Sequence, residues 1–61
     1  MMFDLHVECD NAAFEDNLGQ ELARILIEIA QEIRQRSDDD VTTGRIFDIN
    51  GNRVGQWEVV D

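Results

Sequence analysis

Residues 18–36, LGQELARILIEIAQEIRQR, carry the strongest periodic pattern in the chain. Apolar side chains recur there at the i, i+4, i+7 spacing of an amphipathic helix, and the stripe consists of Leu18, Leu22, Ile25, Ile29 and Ile33. Asn17 precedes the stripe as a candidate N-cap, with Gln20 at the N3 position of a capping box. The segment predicts one helix about 28 Å long, which is enough to cover one face of a small sheet.

A half-buried strand is predicted before the helix, because residues 2–9 alternate between apolar and polar side chains. The inward positions are Phe3, Leu5, Val7 and Cys9, and the outward positions are Asp4, His6 and Glu8. Residues 10–16 are polar apart from two alanines and Phe14. We expect this segment to form a short helical turn, with Phe14 closing one end of the core.

A hairpin is predicted after the helix, because Asn50-Gly51 lies between two β-rich segments, residues 41–48 and 53–60. A two-residue turn at Asn50-Gly51 pairs Gly44 with Trp57, so that a glycine faces the largest side chain. A longer turn, with the glycine as a bulge, shifts the register by one residue. The sequence leaves both turns open.

These segments together predict a single α+β domain spanning residues 1–61, in the order β-α-β-β, with the helix on one face of a three-stranded, mainly antiparallel sheet. We place the third strand at the centre, antiparallel to both neighbours, because residues 57–60 are rich in apolar side chains. The alternative places the first two strands side by side in a parallel crossover. The predicted core consists of Phe3, Leu5, Val7, Leu22, Ile25, Ile29, Ile33, Ile46, Trp57 and Val59.

The charge is strongly one-sided, with 14 Asp and Glu against 5 Arg, no Lys, and a net charge of −9. A single cysteine, Cys9, rules out an internal disulfide, and with one histidine, His6, the chain cannot assemble a zinc site of about four ligands. No apolar run approaches the roughly 18 residues of a membrane span. We therefore expect no cofactor, no metal and no membrane contact, and a cytoplasmic location.

The predicted partner-binding site is acidic. Glu21, Glu28 and Glu32 lie within about 40° of one another on the helical wheel. Asp38, Asp39 and Asp40 extend the negative charge past the helix end, without the ligand spacing of a calcium loop. A solvated surface explains any one of these carboxylates, but the overall imbalance predicts a basic, nucleic-acid-handling protein as the partner. Direct binding of nucleic acid is not expected.

An enzyme is not predicted. His6 points outward and Cys9 inward on the first strand, so the two side chains cannot form a nucleophile–base pair. The chain has no glycine-rich phosphate loop. A domain of 61 residues also has little mass with which to enclose a pocket.

The sequence carries more apolar surface than one helix can cover. Ile27 lies almost opposite Leu18 on the helical wheel, and a two-residue turn puts Phe47 and Val54 on the outer face of the hairpin. Exposed apolar patches mark interaction sites. Because a domain this small has a limited core and no covalent staple, we predict a homodimer that uses Ile27, Phe47 and Val54.

Three stretches, 10–16, 21–26 and 48–59, resemble small uncharacterised proteins encoded by bacteriophages and prophages. Their motifs are a helix start and a hairpin, so the resemblance implies no functional residue. Small acidic phage proteins include anti-CRISPR and other anti-defence factors, some of which mimic DNA. The resemblance implies an inhibitor of a CRISPR effector or of another nucleic-acid-binding protein, acting in the cytoplasm of a bacterial host. The alternative function is a small structural or adaptor homodimer that works through apolar surface.

Overall fold

The computed structural model describes residues 1–61 and contains one helix and three strands in the predicted order. The regular elements are strand β1 (Met2–Val7), helix α1 (Leu18–Gln35), strand β2 (Thr43–Phe47) and strand β3 (Arg53–Val60). Two 3₁₀ turns, Ala12–Phe14 and Asp38–Asp40, flank the helix. The predicted α+β fold is confirmed.

The sheet has the order β1-β3-β2, and both pairings are antiparallel. The predicted central position of the third strand is therefore confirmed, and the alternative of adjacent parallel strands is wrong. The helix carries the chain back across the sheet, so β2 runs in the same direction as β1 with β3 between them. The strand that carries Trp57 thus gains a hydrogen-bonded neighbour on each side.

The hairpin combines features of both predicted turns. Gly44 pairs with Trp57, as the two-residue turn requires, but at the end of the ladder Phe47 pairs with Arg53 and leaves Val54 as an extra residue. The connection is longer than two residues, and Gly51 adopts a positive φ of 84°. Because this bulge turns Val54 inward, where it is 8% exposed, the prediction that Val54 shares an outer face with Phe47 is wrong.

Trp57 is the centre of the core and is 0% exposed. Its indole lies against Gly44, where an added Cβ would overlap the ring. The Phe3 ring centroid is 5.8 Å from that of Trp57, and the guanidinium of Arg36 lies 5.2 Å from the ring centroid. A glycine on β2 therefore makes room for the one tryptophan of the chain.

The observed core is shifted from the predicted one. Ile25, Ile29, Ile46 and Trp57 are buried as predicted, and Val7, Leu22, Ile33 and Val59 pack against them half-buried. Phe3 and Leu5 remain 52% and 36% exposed, so their predicted burial is wrong. The remaining buried apolar positions are Ala13, Phe14 and Val54. Phe14 closes one end of the core, as expected. The physical reason for the shift is that α1 packs against β2 and the Ala12–Phe14 turn, and so leaves β1 partly uncovered.

The predicted capping box at the start of α1 is absent. Asn17 precedes the helix, but its side chain makes no capping hydrogen bond. Its φ of −149° and ψ of 23° lie outside the extended conformation from which a cap side chain reaches the first turn. Asn11 caps the preceding 3₁₀ turn instead, since its Oδ1 accepts a hydrogen bond from Ala13 N at 2.9 Å.

Replacing Gly44 by alanine tests the packing of Trp57. We expect Gly44→Ala to lower the free energy of unfolding by about 1–3 kcal/mol, because the added methyl group overpacks a filled site. Gly19→Ala is the matched control, because a Cβ there meets no atom within 4 Å; its stability should be unchanged or slightly raised. Urea unfolding followed by the fluorescence of Trp57 measures both variants. Wild-type stability in Gly44→Ala would contradict the close approach of the indole.

Candidate acidic interface

Glu21 belongs to the interior rather than to the predicted acidic surface. Its side chain is 3% exposed, and Arg24 Nε and Nη2 donate to its two oxygens at 2.7 and 3.0 Å. The backbone N–H of Ile49 donates to Glu21 Oε2 at 2.8 Å. The prediction that Glu21 contacts a partner is therefore wrong, because its carboxylate is buried and its oxygens are already bonded to Arg24 and to the turn between β2 and β3.

The rest of the predicted helix face is largely neutralised by arginine. Arg24 Nη1 donates to Glu28 Oε2 at 2.6 Å, and Arg36 Nη2 forms an ion pair with Glu32. The Glu28 side chain stays 63% exposed. Glu28 and Glu32 therefore remain at the surface, but the face they share with Glu21 is not a continuous negative strip.

Asp38, Asp39 and Asp40 form the exposed 3₁₀ turn that follows α1. None of the three is within ion-pair distance of an arginine side chain; Asp40 Oδ2 accepts a hydrogen bond from Ser37 Oγ at 3.1 Å. These carboxylates lie beyond the C-terminus of α1, where the helix dipole is negative and favours cations. The connection after α1 is thus a short ordered turn, and its negative charges do not stabilise the helix.

Asp48 is a buried carboxylate that the sequence analysis missed; it is 4% exposed. The backbone N–H groups of Asn50 and Asn52 both donate to its Oδ1 at 2.9 Å. The side-chain amides of Asn11 and Asn52 donate to its Oδ2 at 2.7 and 3.1 Å. An aspartate just before a tight turn is a known turn signal, which accounts for the local bonds. The contact with Asn11 depends on the fold.

The pKa values of these buried carboxyls remain low. The hydrogen bond from Arg24 holds the pKa of Glu21 below its ordinary value, although burial and the negative charge of Asp48 oppose it. Burial alone would raise the pKa of Asp48, but the hydrogen bonds from Asn52, Asn11 and Asn50 together keep it below its ordinary value. The bond to Glu21 in turn raises the pKa of Arg24. All three groups are therefore charged at neutral pH.

A second acidic area lies on the sheet face opposite the helix. Asp4 and Glu58 are directly paired across β1 and β3, and like charges in such pairs are destabilising. His6 Nε2 lies 3.7 Å from Glu8 Oε1 on the same strand.

Cys9 is half-buried, and its thiol faces the Val7 carbonyl oxygen at 3.8 Å. The structure does not bring His6 and Cys9 together.

Most of the negative charge has no cation nearby. The carboxylates outside ion-pair distance of any arginine or histidine, and not buried, are Asp4, Asp10, Glu15, Asp16, Asp38, Asp39, Asp40, Glu58 and Asp61. No three His, Cys, Asp or Glu side chains form a group able to hold a metal ion. The unpaired charge therefore lies at both ends of α1 and on the open face of the sheet.

No helix combines the length and apolar composition needed to cross a membrane. Compared with known proteins, the chain matches no family model, no curated protein and no solved structure.

Acid should weaken the fold through Glu21 and Asp48. Because their pKa values are lowered on folding, the stability they supply is complete above the unfolded-state values of about 4 and is lost as pH falls through the folded-state values. Asp48→Asn should unfold at a lower urea concentration at pH 7, and its difference from wild type should shrink between pH 5 and pH 2. Asp39→Asn, an exposed control, should show no such convergence. A difference that stays constant over this range would contradict the assignment.

Proposed function

We propose that this protein is a non-enzymatic acidic binding module that engages a basic surface of a bacterial nucleic-acid-handling protein. The observation that supports this best is the turn of Asp38, Asp39 and Asp40, which is exposed and free of arginine ion pairs. Neighbouring like charges at the negative end of a helix oppose folding. The stability of the fold therefore gives no reason for three adjacent aspartates at this position. Attraction of a cationic partner gives one.

The charge distribution suits such a partner. A net charge of −9 steers positively charged surfaces toward the protein and speeds their association. Arginine and lysine side chains that neutralise nucleic-acid phosphates can bind carboxylates instead, and arginine does so in a bidentate way. The proposed contact residues are Asp38, Asp39 and Asp40, with Glu28 and Glu32 beside them. Glu21 is not included, because it is buried.

Because the chain resembles small acidic phage proteins, we further propose that it inhibits the protein it binds. By occupying the basic groove of a CRISPR effector or of another host protein, the module would exclude the nucleic acid that normally binds there. Its own net charge of −9 opposes direct contact with DNA or RNA. The proposed inhibition is supported by the negative charge together with the resemblance.

The charge of the turn can be tested with a fluorescent octa-arginine peptide as a defined basic probe. Asp38→Asn/Asp39→Asn/Asp40→Asn should weaken binding by about tenfold in 0.05 M NaCl, since exposed ion pairs contribute about 0.2–1 kcal/mol each. The salt dependence should also become shallower. Because repulsion is removed, stability should stay equal or rise slightly. Fluorescence anisotropy and urea unfolding provide the two measurements.

The matched control is Asp10→Asn/Glu15→Gln/Asp16→Asn, which removes the same charge at the other end of α1. If both triple variants lower the affinity for the octa-arginine peptide equally, binding depends on the total charge of the protein and not on the Asp38–Asp40 turn. Wild-type affinity in the first triple variant would refute the assigned site. Inhibition itself is tested by adding wild-type protein to a purified CRISPR effector and its DNA target. The proposal requires that DNA binding is lost with wild type and retained with the triple variant.

A further inference from the structure

The outer edge of β1, which we call the β1 edge, carries backbone groups that no other strand bonds. β1 lies at one side of the sheet, next to β3 alone. Glu8 N donates to the Val54 carbonyl oxygen at 2.8 Å, in line with the β1–β3 pairing. Because bonded and non-bonded positions alternate along an antiparallel ladder, the N–H and C=O groups of every second residue of β1 point away from the sheet. These residues are Phe3, Leu5 and Val7.

The opposite edge of the sheet, at β2, is closed by arginine side chains. Arg36 Nη1 donates to the outward carbonyl oxygen of Thr43 at 2.8 Å, and Arg24 Nη2 donates to that of Phe47 at 3.2 Å. Both guanidiniums are held in place by glutamates of α1. A strand added at β2 would have to displace these hydrogen bonds, whereas a strand added at the β1 edge would not.

The two faces beside the β1 edge differ in their chemistry. On the helix side, Phe3 and Leu5 are 52% and 36% exposed, because α1 packs against β2 and leaves β1 partly uncovered. On the open side, Asp4 and Glu58 are directly paired across β1 and β3. A strand beside β1 therefore places its side chains alternately against an apolar surface and against an acidic one.

We propose that the β1 edge binds an extended segment of a partner protein in which apolar residues alternate with lysine or arginine, and that this segment pairs antiparallel with β1 as a fourth strand. Directly opposite residues share one face of a sheet, so the residues opposite Phe3 and Leu5 are the apolar ones. The intervening residues are basic and lie beside Asp4 and Glu58. Backbone hydrogen bonds supply the affinity, and the alternation supplies the specificity.

Charge favours a basic segment over a second copy of this chain. A second copy brings another net charge of −9, and charged side chains on an edge strand protect it against pairing with its own kind. Ile27 and Phe47, which were predicted to form a homodimer, are exposed on α1 and β2, outside the β1 edge. The inference goes beyond the proposed function and does not depend on it, because the Asp38–Asp40 turn is no part of this edge.

Fluorescein-labelled peptides test the alternation. Lys-Val-Lys-Val-Lys-Val-Lys should bind the wild-type protein in about 0.15 M NaCl, where long-range attraction is screened. Lys-Lys-Lys-Lys-Val-Val-Val has the same charge and composition without the alternation, and its affinity should be at least about tenfold lower. Fluorescence anisotropy measures both. Equal affinities of the two peptides would overturn the proposal.

Backbone methylation of the alternating peptide tests the strand pairing. In the antiparallel arrangement the N–H groups of the valines donate to β1, and those of the lysines point away from it. Methylating the three valine nitrogens should lower the affinity at least about tenfold, because the acceptors on β1 lose their donors. Methylating the nitrogens of the three lysines that follow a valine is the matched control and should leave the affinity unchanged. Equal losses in both peptides would contradict strand addition.

A charge reversal on the protein tests the acidic side of the edge. Asp4→Lys should lower the affinity for the alternating peptide about three- to tenfold, because an attraction becomes a repulsion. Its stability should stay equal or rise, since the repulsion between Asp4 and Glu58 is relieved. Asp39→Lys makes the same change in net charge at the turn after α1 and should bind like wild type. An equal loss in Asp39→Lys would show that only total charge matters, and would refute the proposal.

Amide hydrogen exchange locates the bound peptide. The alternating peptide should slow exchange of the outward N–H groups of Phe3 and Leu5 at least about tenfold. Arg45 N–H, which points outward on β2 by the same alternation, is the internal control and should not change. Protection at Arg45 instead of at Phe3 and Leu5 would overturn the proposal. So would protection of Phe3 and Leu5 without peptide together with a two-chain mass in sedimentation equilibrium, since a second copy would then occupy the edge.

Discussion

Two buried carboxylates hold the turn between β2 and β3 in place, and the position of the helix on the sheet depends on them. Asp48 bonds the turn to itself and to Asn11, and Glu21 bonds it to α1. Asp48 satisfies the backbone N–H groups of Asn50 and Asn52 within the turn. Glu21 accepts the next free N–H, from Ile49, across 28 positions of sequence. Glu21 is 3% exposed, and a buried carboxylate that loses its hydrogen-bond donors is costly, so the turn and the first part of α1 stabilise each other.

This attachment also decides where the helix lies on the sheet. Arg24 links Glu21 to the end of β2, and the helix is consequently drawn toward the β2 edge instead of lying over the centre. Trp57 fills the space beneath it, and Gly44 leaves room for the indole. The opposite edge receives less cover, which is why Phe3 and Leu5 are accessible to solvent.

The acidic residues fall into two groups with different physical roles. Glu21 and Asp48 are buried and fully bonded, and Glu28 and Glu32 are paired with arginines one helical turn away. These carboxylates support the fold. The others, apart from Glu8 beside His6, have no basic side chain beside them and oppose the fold through mutual repulsion. Most of the charge that makes this protein unusual is therefore available to a partner, at the helix ends and on the open sheet face.

The sequence by itself determined the order of the elements, because this order depends on side-chain periodicity and on the local chemistry of Asn50-Gly51. It favoured a central third strand, but it left the hairpin register, and with it the Gly44–Trp57 pairing, open. Only the tertiary structure decided that Glu21 is interior, that Val54 turns inward at a bulge, and that Phe3 and Leu5 are exposed. These outcomes depend on how far the helix is displaced across the sheet. That displacement is set by hydrogen bonds between distant residues, which no local pattern records.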